Sequence, residues 1–311
     1  MSDEIVATTR LDQEIMPTDD RGLRVRFFGA FSVSRDGVPL AGTYWGRTGT
    51  QTLLKWFLLH PGERFSAAQL TALFPPTRRA ASGGNRLHVA LHALRRTLEP
   101  ELQRRRASSF VHVDGAGRYW FEADGRWQCD IEVVESLWSR LRCVTGSRHE
   151  AQIRLYERLL GFLRQGFLPE DIYDDSFASL RERYTHLHVE SLSAILDLYV
   201  DNGLAYETLA CGLELLGLDP YSERALSAVV DVHLRQGNVT AAWTHLTGFV
   251  DVLERDLGLA PDLPLRQLTR RVTAARGRTT TPSLPRSMST SGNGPSRAGV
   301  HITAGSARKA R

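Results

Sequence analysis

The sequence predicts a mainly α-helical protein with a small β component, in which a winged helix-turn-helix precedes a tetratricopeptide-like α-solenoid. Three observations lead to this prediction. Residues 85–98 have the leucine periodicity of an amphipathic helix, and a Gly-rich hairpin signal follows at residues 110–121. Two glycine turns, at Gly203 and Gly237, lie 34 residues apart between pairs of amphipathic segments. Paired helices at that spacing are typical of tetratricopeptide repeats.

The first domain begins with short strand-like segments. Residues 23–40 alternate in short runs around the turn dipeptide Asp36-Gly37, which predicts two or three antiparallel strands. A helix is predicted over residues 47–60, and Ser66 is a good N-cap for a second, short helix over residues 67–74. With the amphipathic helix and the hairpin, these elements make a winged helix-turn-helix, whose third helix enters the major groove of DNA.

The helix over residues 85–98 has an apolar side and a basic side. The apolar side consists of leucines at steps of four, three and four: Leu87, Leu91, Leu94 and Leu98. The other side holds the residues that we predict to contact base edges: Asn85, Arg86, Val89, His92 and Arg96. Asn and Arg side chains make paired hydrogen bonds to adenine and guanine, and Val contacts the thymine methyl group. The alternative for this segment is a solvated helix of a helical domain.

Further basic residues in the same domain are predicted to contact the DNA backbone. They are His88, Arg95, Arg104, Arg105, Arg106, His112 and Arg118. Phosphate contacts supply affinity but no sequence information. For the run at residues 104–106, solvated loop charge is the alternative interpretation.

Charge is distributed unevenly along the chain. The whole chain has 39 Lys+Arg and 35 Asp+Glu, a net charge of +4, but residues 21–122 have a net charge of +10 and residues 123–275 one of −8. Residues 276–311 contain 7 basic and no acidic residues. A basic block followed by an acidic one indicates a nucleic-acid module joined to a module that contacts proteins.

Composition argues against secreted and membrane proteins. The cysteines, Cys129, Cys143 and Cys211, form no C-x-x-C pair and no disulfide framework, so we expect buried thiols in a reducing cytosol. The first twenty residues are acidic and lack the apolar core of a signal peptide. No run approaches the roughly eighteen apolar residues of a membrane span. We therefore expect a cytoplasmic protein with no membrane partner.

The sequence lacks the known patterns of catalytic sites. Neither Lys55 nor Lys309 follows a glycine, as a Walker A phosphate loop requires. His186 and His188 could be metal ligands, but the pattern favours ordinary surface positions on a helix. We expect no catalytic activity, no metal and no cofactor.

The first domain resembles the OmpR-type winged helix of the Streptomyces antibiotic regulatory protein (SARP) family of activators. The matching residues are Leu53-Leu54, Leu58-Leu59, Pro61-Gly62, Leu70, Phe74-Pro75, Asn85-x-Leu87-x-Val89-Ala90-Leu91-His92-x-Leu94-Arg95-Arg96-x-Leu98 and Gly117-x-Tyr119. The family usually has a tryptophan at the position of Phe74.

The second half is similar to the bacterial transcriptional activator domain. The matching residues are Gly166-Phe167-Leu168-Pro169, Tyr173-Asp174-Asp175, Leu218-Asp219-Pro220-Tyr221 and Glu254-Arg255-Asp256-Leu257-Gly258-Leu259-Ala260-Pro261. Together with composition, the resemblance divides the chain into four parts. They are a disordered N-terminal arm (1–20), the winged helix-turn-helix (21–123), the tetratricopeptide-like activator domain (124–275) and a disordered basic tail (276–311).

The resemblance implies a sequence-specific DNA-binding activator of a biosynthetic gene cluster that acts in the cytoplasm, at the nucleoid, by recruiting RNA polymerase. It further implies a homodimer on promoter repeats and a contact with the sigma factor of the polymerase holoenzyme. Arg78 and Arg79, in an exposed loop, are the predicted contact residues, although either could instead hold a phosphate. The alternative function is a helical protein-binding scaffold whose winged helix no longer binds DNA.

Overall fold

The computed structural model describes residues 22–40, 49–74, 83–103, 106–122, 127–143 and 149–279. Its strands are β1 (Leu23–Arg26), β2 (Ser32–Arg35), β3 (Val38–Pro39), β4 (Phe65–Ser66), β5 (Val111–Val113), β6 (Arg118–Phe121) and β7 (Trp127–Cys129). Its α-helices are α1 (Thr50–Leu59), α2 (Ala67–Ala72), α3 (Gly83–Leu98), α4 (Asp130–Cys143), α5 (His149–Leu163), α6 (Ala178–Asp201), α7 (Ala205–Leu218), α8 (Glu223–Arg235), α9 (Val239–Leu257) and α10 (Leu263–Thr279).

Two small sheets organise the N-terminal part. The first has the order β3-β2-β1-β7, and the second has the order β4-β6-β5. The β1–β2–β3 meander confirms the predicted antiparallel strands, and its turn at Asp36 and Gly37 has positive φ at both residues (52° and 77°). We did not predict β7, which pairs in parallel with β1 so that Leu23 lies opposite Trp127. Its partner is distant in sequence, so no local pattern indicates the pairing.

Three helices and the β4-β6-β5 sheet form the predicted winged helix-turn-helix. Ser66 caps α2 in a capping box, because its Oγ accepts from the Gln69 N–H (3.3 Å) while the Gln69 Oε1 accepts from the Ser66 N–H (2.8 Å). The helix ends at Ala72, two residues before the predicted end. Apolar side chains from all three helices, among them Phe57, Leu70 and Leu94, are fully buried between the helices and the sheet.

Helices α4 to α10 follow one another as an α-solenoid, each packed against the next. Gly203 joins α6 to α7 and Gly237 joins α8 to α9, with φ of 68° and 75°. Glycine adopts this left-handed conformation without the steric cost that a Cβ would add. A Cβ at Gly212 of α7 would lie 2.7 Å from Val229 Cγ2, which shows how closely α7 and α8 approach. The fold class predicted from the sequence is therefore confirmed.

The core continues from the winged helix-turn-helix into the solenoid. The backbone N–H groups of Phe27 and Phe28 donate to the carboxylate of Asp130 at 2.8–2.9 Å, at the first residue of α4. Burial raises the pKa of Asp130 to about 6. The Phe28 ring also meets the rings of Phe167 and Tyr184 edge-on, with centroids 5.6 and 5.1 Å away. These contacts fix the solenoid against β1.

A buried ion pair links α1 to the loop that follows α5. The Lys55 side chain is only 3% exposed, and its Nζ lies 2.5 Å from Asp171 Oδ2 and 4.6 Å from the centroid of the Phe31 ring. Arg181 holds the loop by donating to the carbonyl oxygens of Asp171 and Asp174, both at 2.8 Å. An unpaired charge in the core would cost several kcal/mol. The loop therefore supplies the anion that allows a lysine at this position in α1.

Glu214 of α7 contacts α6 and the residue that directly follows α5. Its carboxylate accepts from the Arg164 guanidinium at 2.8–3.1 Å and lies 3.2 Å from His188 Nε2. His188 is buried, so the surface position predicted for it is wrong, whereas His186 is exposed as predicted. Burial alone would raise the pKa of Glu214, but the hydrogen bonds from His188 and Arg164 outweigh burial and lower it to about 2.

Because the folded-state pKa of Glu214 is depressed from 4.5 to about 2, its stabilising contribution is complete above pH 4.5 and is lost as the pH falls towards 2. We expect Glu214→Gln to lower the free energy of unfolding by about 1–2 kcal/mol at pH 6, after allowance for solvent screening. The deficit should shrink by more than half at pH 3, as measured by urea titration. Glu150→Gln, at an 87% exposed side chain, is the control. A deficit that does not change between pH 6 and pH 3 would contradict this assignment.

The last helix is longer than the sequence predicts. α10 extends to Thr279, four residues into the segment predicted as a disordered tail from Arg276. Val272 is fully buried against the solenoid, and the Arg276 guanidinium lies 4.9 Å from the centroid of the Trp243 ring. The contact between Arg276 and Trp243 lies beyond Val272, the last large apolar residue of α10. Across the described ranges, no helix is long and apolar enough to cross a membrane.

Candidate nucleic-acid interface

The apolar side of α3 is the part of the helix that anchors it. The residues on this side are at most 4% exposed: Leu87, Ala90, Leu91, Leu94 and Leu98. They pack against α1 and α2. The opposite side of α3 consequently faces away from the domain.

The outward side of α3 presents most of the residues predicted to contact bases. His92 and Arg96 are exposed and Val89 is 46% exposed, and His88, which is predicted to contact the DNA backbone, is exposed beside them. An exposed valine among polar side chains fits the major groove, where thymine methyl groups and base acceptors lie. Asn85 belongs to α3, but its side chain lies outside the part of the chain that the structure describes.

Two of the arginines predicted to contact DNA, Arg86 and Arg95, have side chains that contact other elements of the same domain. The Arg86 guanidinium is 5.5 Å from the centroid of the Phe74 ring, two residues after the end of α2. Arg95 donates from Nη2 to the carbonyl oxygen of Val111 in β5 at 3.3 Å, and burial lowers its pKa. Arg95 therefore connects α3 to the wing hairpin in addition to its predicted role at the DNA backbone.

Arg96 contacts the backbone that follows α3. Its Nη1 donates to the carbonyl oxygens of Pro100 and Leu102, at 3.4 and 3.2 Å. A cation at this position stabilises the C-terminal end of a helix, where carbonyl groups lack partners. Its guanidinium is directed towards this loop, so contact with a base would require Arg96 to leave both carbonyl groups.

The segment after α3 fixes the wing relative to the helix. Glu99 is buried, and its carboxylate accepts from the Ser108 hydroxyl and from the Ser109 N–H (3.0 Å). Arg35 of β2 donates to the carbonyl oxygen of Leu98 at 2.7 Å.

Arg106, which is predicted to contact the DNA backbone, is exposed. The predicted backbone contacts Arg104 and Arg105, and the predicted polymerase contacts Arg78 and Arg79, lie outside the described residues.

The wing is the predicted hairpin of β5 and β6. Asp114 begins its turn and accepts the N–H groups of Ala116 (3.0 Å) and Arg118 (2.9 Å) through Oδ1, while Gly117 has φ of 73°. The Arg118 Nε also donates to Asp114 Oδ2 at 2.9 Å. The hydrogen bond from the Arg118 backbone is the main cause of the lowered pKa of Asp114. The hairpin signal in the sequence is confirmed, and Arg118 has a partner within the turn.

The structure adds one cation to the wing that the sequence analysis missed. Arg64 directly precedes β4, which pairs with β6. Its guanidinium lies 4.6 Å from the centroid of the Trp120 ring, and its Nη1 lies 3.6 Å from Asp114 Oδ2. The predicted backbone contact His112 stacks on the same Trp120, with centroids 5.3 Å apart. A strand of two residues leaves no periodic pattern, so only the folded structure reveals this position of Arg64.

Part of the chain matches a family model, and its fold matches a solved structure. Residues 129–273 match the bacterial transcriptional activator domain. The fold is similar to that of Mycobacterium tuberculosis EmbR, whose structure was solved in complex with a low-affinity phosphopeptide. The two chains share 19% identity over 83% of this chain and 70% of EmbR, with a TM-score of 0.56. No curated protein sequence matches the chain.

Proposed function

We propose that this chain is a SARP-type transcriptional activator and that it binds promoter DNA specifically through the outward side of α3. The observation that supports the proposal most is the exposed face of α3, where His88, Val89 and His92 project from a helix whose leucines are buried. The net charge of +10 over residues 21–122 supplies the attraction to phosphate.

We assign the two parts of the interface different tasks. Val89 and His92 in the middle of α3, with Asn85 and Arg86 at its beginning and Arg96 near its end, would contact base edges. Residues on and before the wing would contact phosphates: Arg106, His112 and Arg118, with Arg104 and Arg105 preceding them. His88 and Arg95 would contact the backbone from the edges of α3. Phosphate contacts position the protein on the duplex, and base contacts select the sequence.

The solenoid would provide protein contacts. Residues 129–273 match the bacterial transcriptional activator domain, and residues 123–275 have a net charge of −8. We propose that this domain joins two copies into a homodimer whose α3 helices bind head-to-tail promoter repeats, spaced by about one helical turn of 10–11 bp or a simple multiple of it. Arg78 and Arg79 would then contact the sigma factor of RNA polymerase. Activation of a biosynthetic gene cluster, at the nucleoid in the cytoplasm, is the proposed outcome.

The alternative is a helical scaffold that binds proteins and whose winged helix no longer binds DNA. Titration of the full chain with labelled duplexes distinguishes the two functions. One duplex would contain the region upstream of its own gene, and a shuffled duplex of the same composition would be the control. We expect binding to the upstream duplex to be at least about a thousandfold tighter at about 150 mM salt, the lower end of the range typical of specific DNA-binding proteins. Equal, weak binding to both duplexes would favour the scaffold.

A further inference from the structure

The solvent-facing side of the wing sheet has an ordered row of planar side chains. His112 in β5 lies directly opposite Trp120 in β6, and Arg64 extends the row from the β4 side. The Trp120 ring lies between the two, 4.6 Å from the Arg64 guanidinium carbon and 5.3 Å from the His112 ring centroid. A cation–π contact of this kind positions the Arg64 guanidinium over the face of the Trp120 ring.

Asp114 lies beside this row and contacts two cations. Its Oδ2 is 2.9 Å from Arg118 Nε and 3.6 Å from Arg64 Nη1. The Asp114 side chain is 17% exposed, whereas each of the two arginine side chains is 51% exposed. The carboxylate is therefore more buried than the two guanidinium groups beside it. Each guanidinium has five N–H donors, more than its contact with Asp114 uses.

We propose that Arg64 and Arg118 together form a phosphate-binding site for the DNA backbone, and that Asp114 is the resident counter-ion of this site. In the free protein the carboxylate neutralises part of their charge and sets their separation, and on DNA a phosphodiester oxygen binds the donors that point outward. The proposal rests on the proposed DNA binding. It assigns a task to Arg64 and gives Asp114 an effect on affinity that is the same for every DNA sequence.

The proposal predicts opposite effects for the anion and the cations. Asp114→Asn keeps a carbonyl oxygen for the turn N–H groups but removes the negative charge. It should tighten binding to specific and shuffled duplexes alike by about three- to tenfold at low salt. Arg64→Ala should weaken binding to both by a similar factor, and should reduce the slope of log K against log salt by about one. Arg64→Lys keeps the charge and should keep the slope.

The test is fluorescence anisotropy of the full chain against both duplexes at several salt concentrations. Glu101→Gln, at a 70% exposed side chain, controls for loss of a negative charge in the same domain, and Arg154→Ala, at a 64% exposed side chain of α5, controls for loss of a cation. Circular dichroism confirms folding of each variant. Two results would overturn this inference alone, provided that the wild type binds DNA. In the first, Arg64→Ala binds DNA with the same affinity as Arg154→Ala. In the second, Asp114→Asn binds DNA no more tightly than Glu101→Gln. Failure of the wild type to bind any duplex would instead overturn the proposed function, and the phosphate site with it.

Discussion

Replacing both Val89 and His92 by aspartate should lower the affinity for the specific duplex at least a hundredfold, which corresponds to about 2.7 kcal/mol. Both side chains are exposed on the outward side of α3, so the change leaves the leucine core intact. The variant would lose the two proposed contacts to base edges. It also places two carboxylates against the DNA.

The control for this prediction is a pair of aspartates at equally exposed positions of the solenoid. Tyr206 is 80% exposed and Leu213 is 40% exposed in α7, so Tyr206→Asp with Leu213→Asp introduces the same charge outside the winged helix-turn-helix. We expect the control to bind the specific duplex within about threefold of the wild type. If both double variants lose the same affinity, net charge explains the loss and α3 does not form the interface.

Asp171→Asn should destabilise the folded protein by about 3 kcal/mol, because it leaves the ammonium group of Lys55 buried without its anion. The reverse change, Lys55→Met, should cost less, about 1 kcal/mol or below. Methionine loses the cation–π contact with Phe31 but fills the buried space with an apolar side chain, and the Asp171 side chain is 22% exposed and can be hydrated. Urea titration, monitored by tryptophan fluorescence, measures the free energy of unfolding of each variant, and Trp56 neighbours Lys55 in α1.

The double variant separates the ion pair from the packing around it. If the two residues interact, Lys55→Met in the Asp171→Asn background should restore most of the lost stability, since no unpaired charge then remains. Additive losses would show that the two charges do not interact. Arg154→Ala, which removes one partner of an exposed ion pair in α5, should change stability by less than about 1 kcal/mol.

Local patterns were sufficient for much of this fold. The leucine spacing that predicted a helix over residues 85–98 recurs as the buried side of α3, because the period of a helix directly determines which residues face the core. The Asp114 turn and the glycines at 203 and 237 were likewise visible, since each backbone conformation requires a particular residue type at that position.

The parts that the sequence analysis missed depend on contacts between distant segments. The pairing of β7 with β1, the ion pair between Lys55 and Asp171 and the position of Arg64 beside Trp120 all depend on chain folding between remote residues. The exposed α3 side could be predicted, but the direction of the Arg96 guanidinium could not, because its partners are carbonyl groups of an irregular loop.

Selection of bound duplexes from a random pool, with the wild-type chain and the Val89→Asp, His92→Asp variant side by side, tests sequence-specific binding through α3 most directly. We expect the wild type to enrich one common sequence motif and the variant to enrich none, while both retain weak, salt-sensitive binding to the unselected pool. Enrichment of the same motif by both proteins, or of no motif by either, would contradict sequence-specific binding through the outward side of α3.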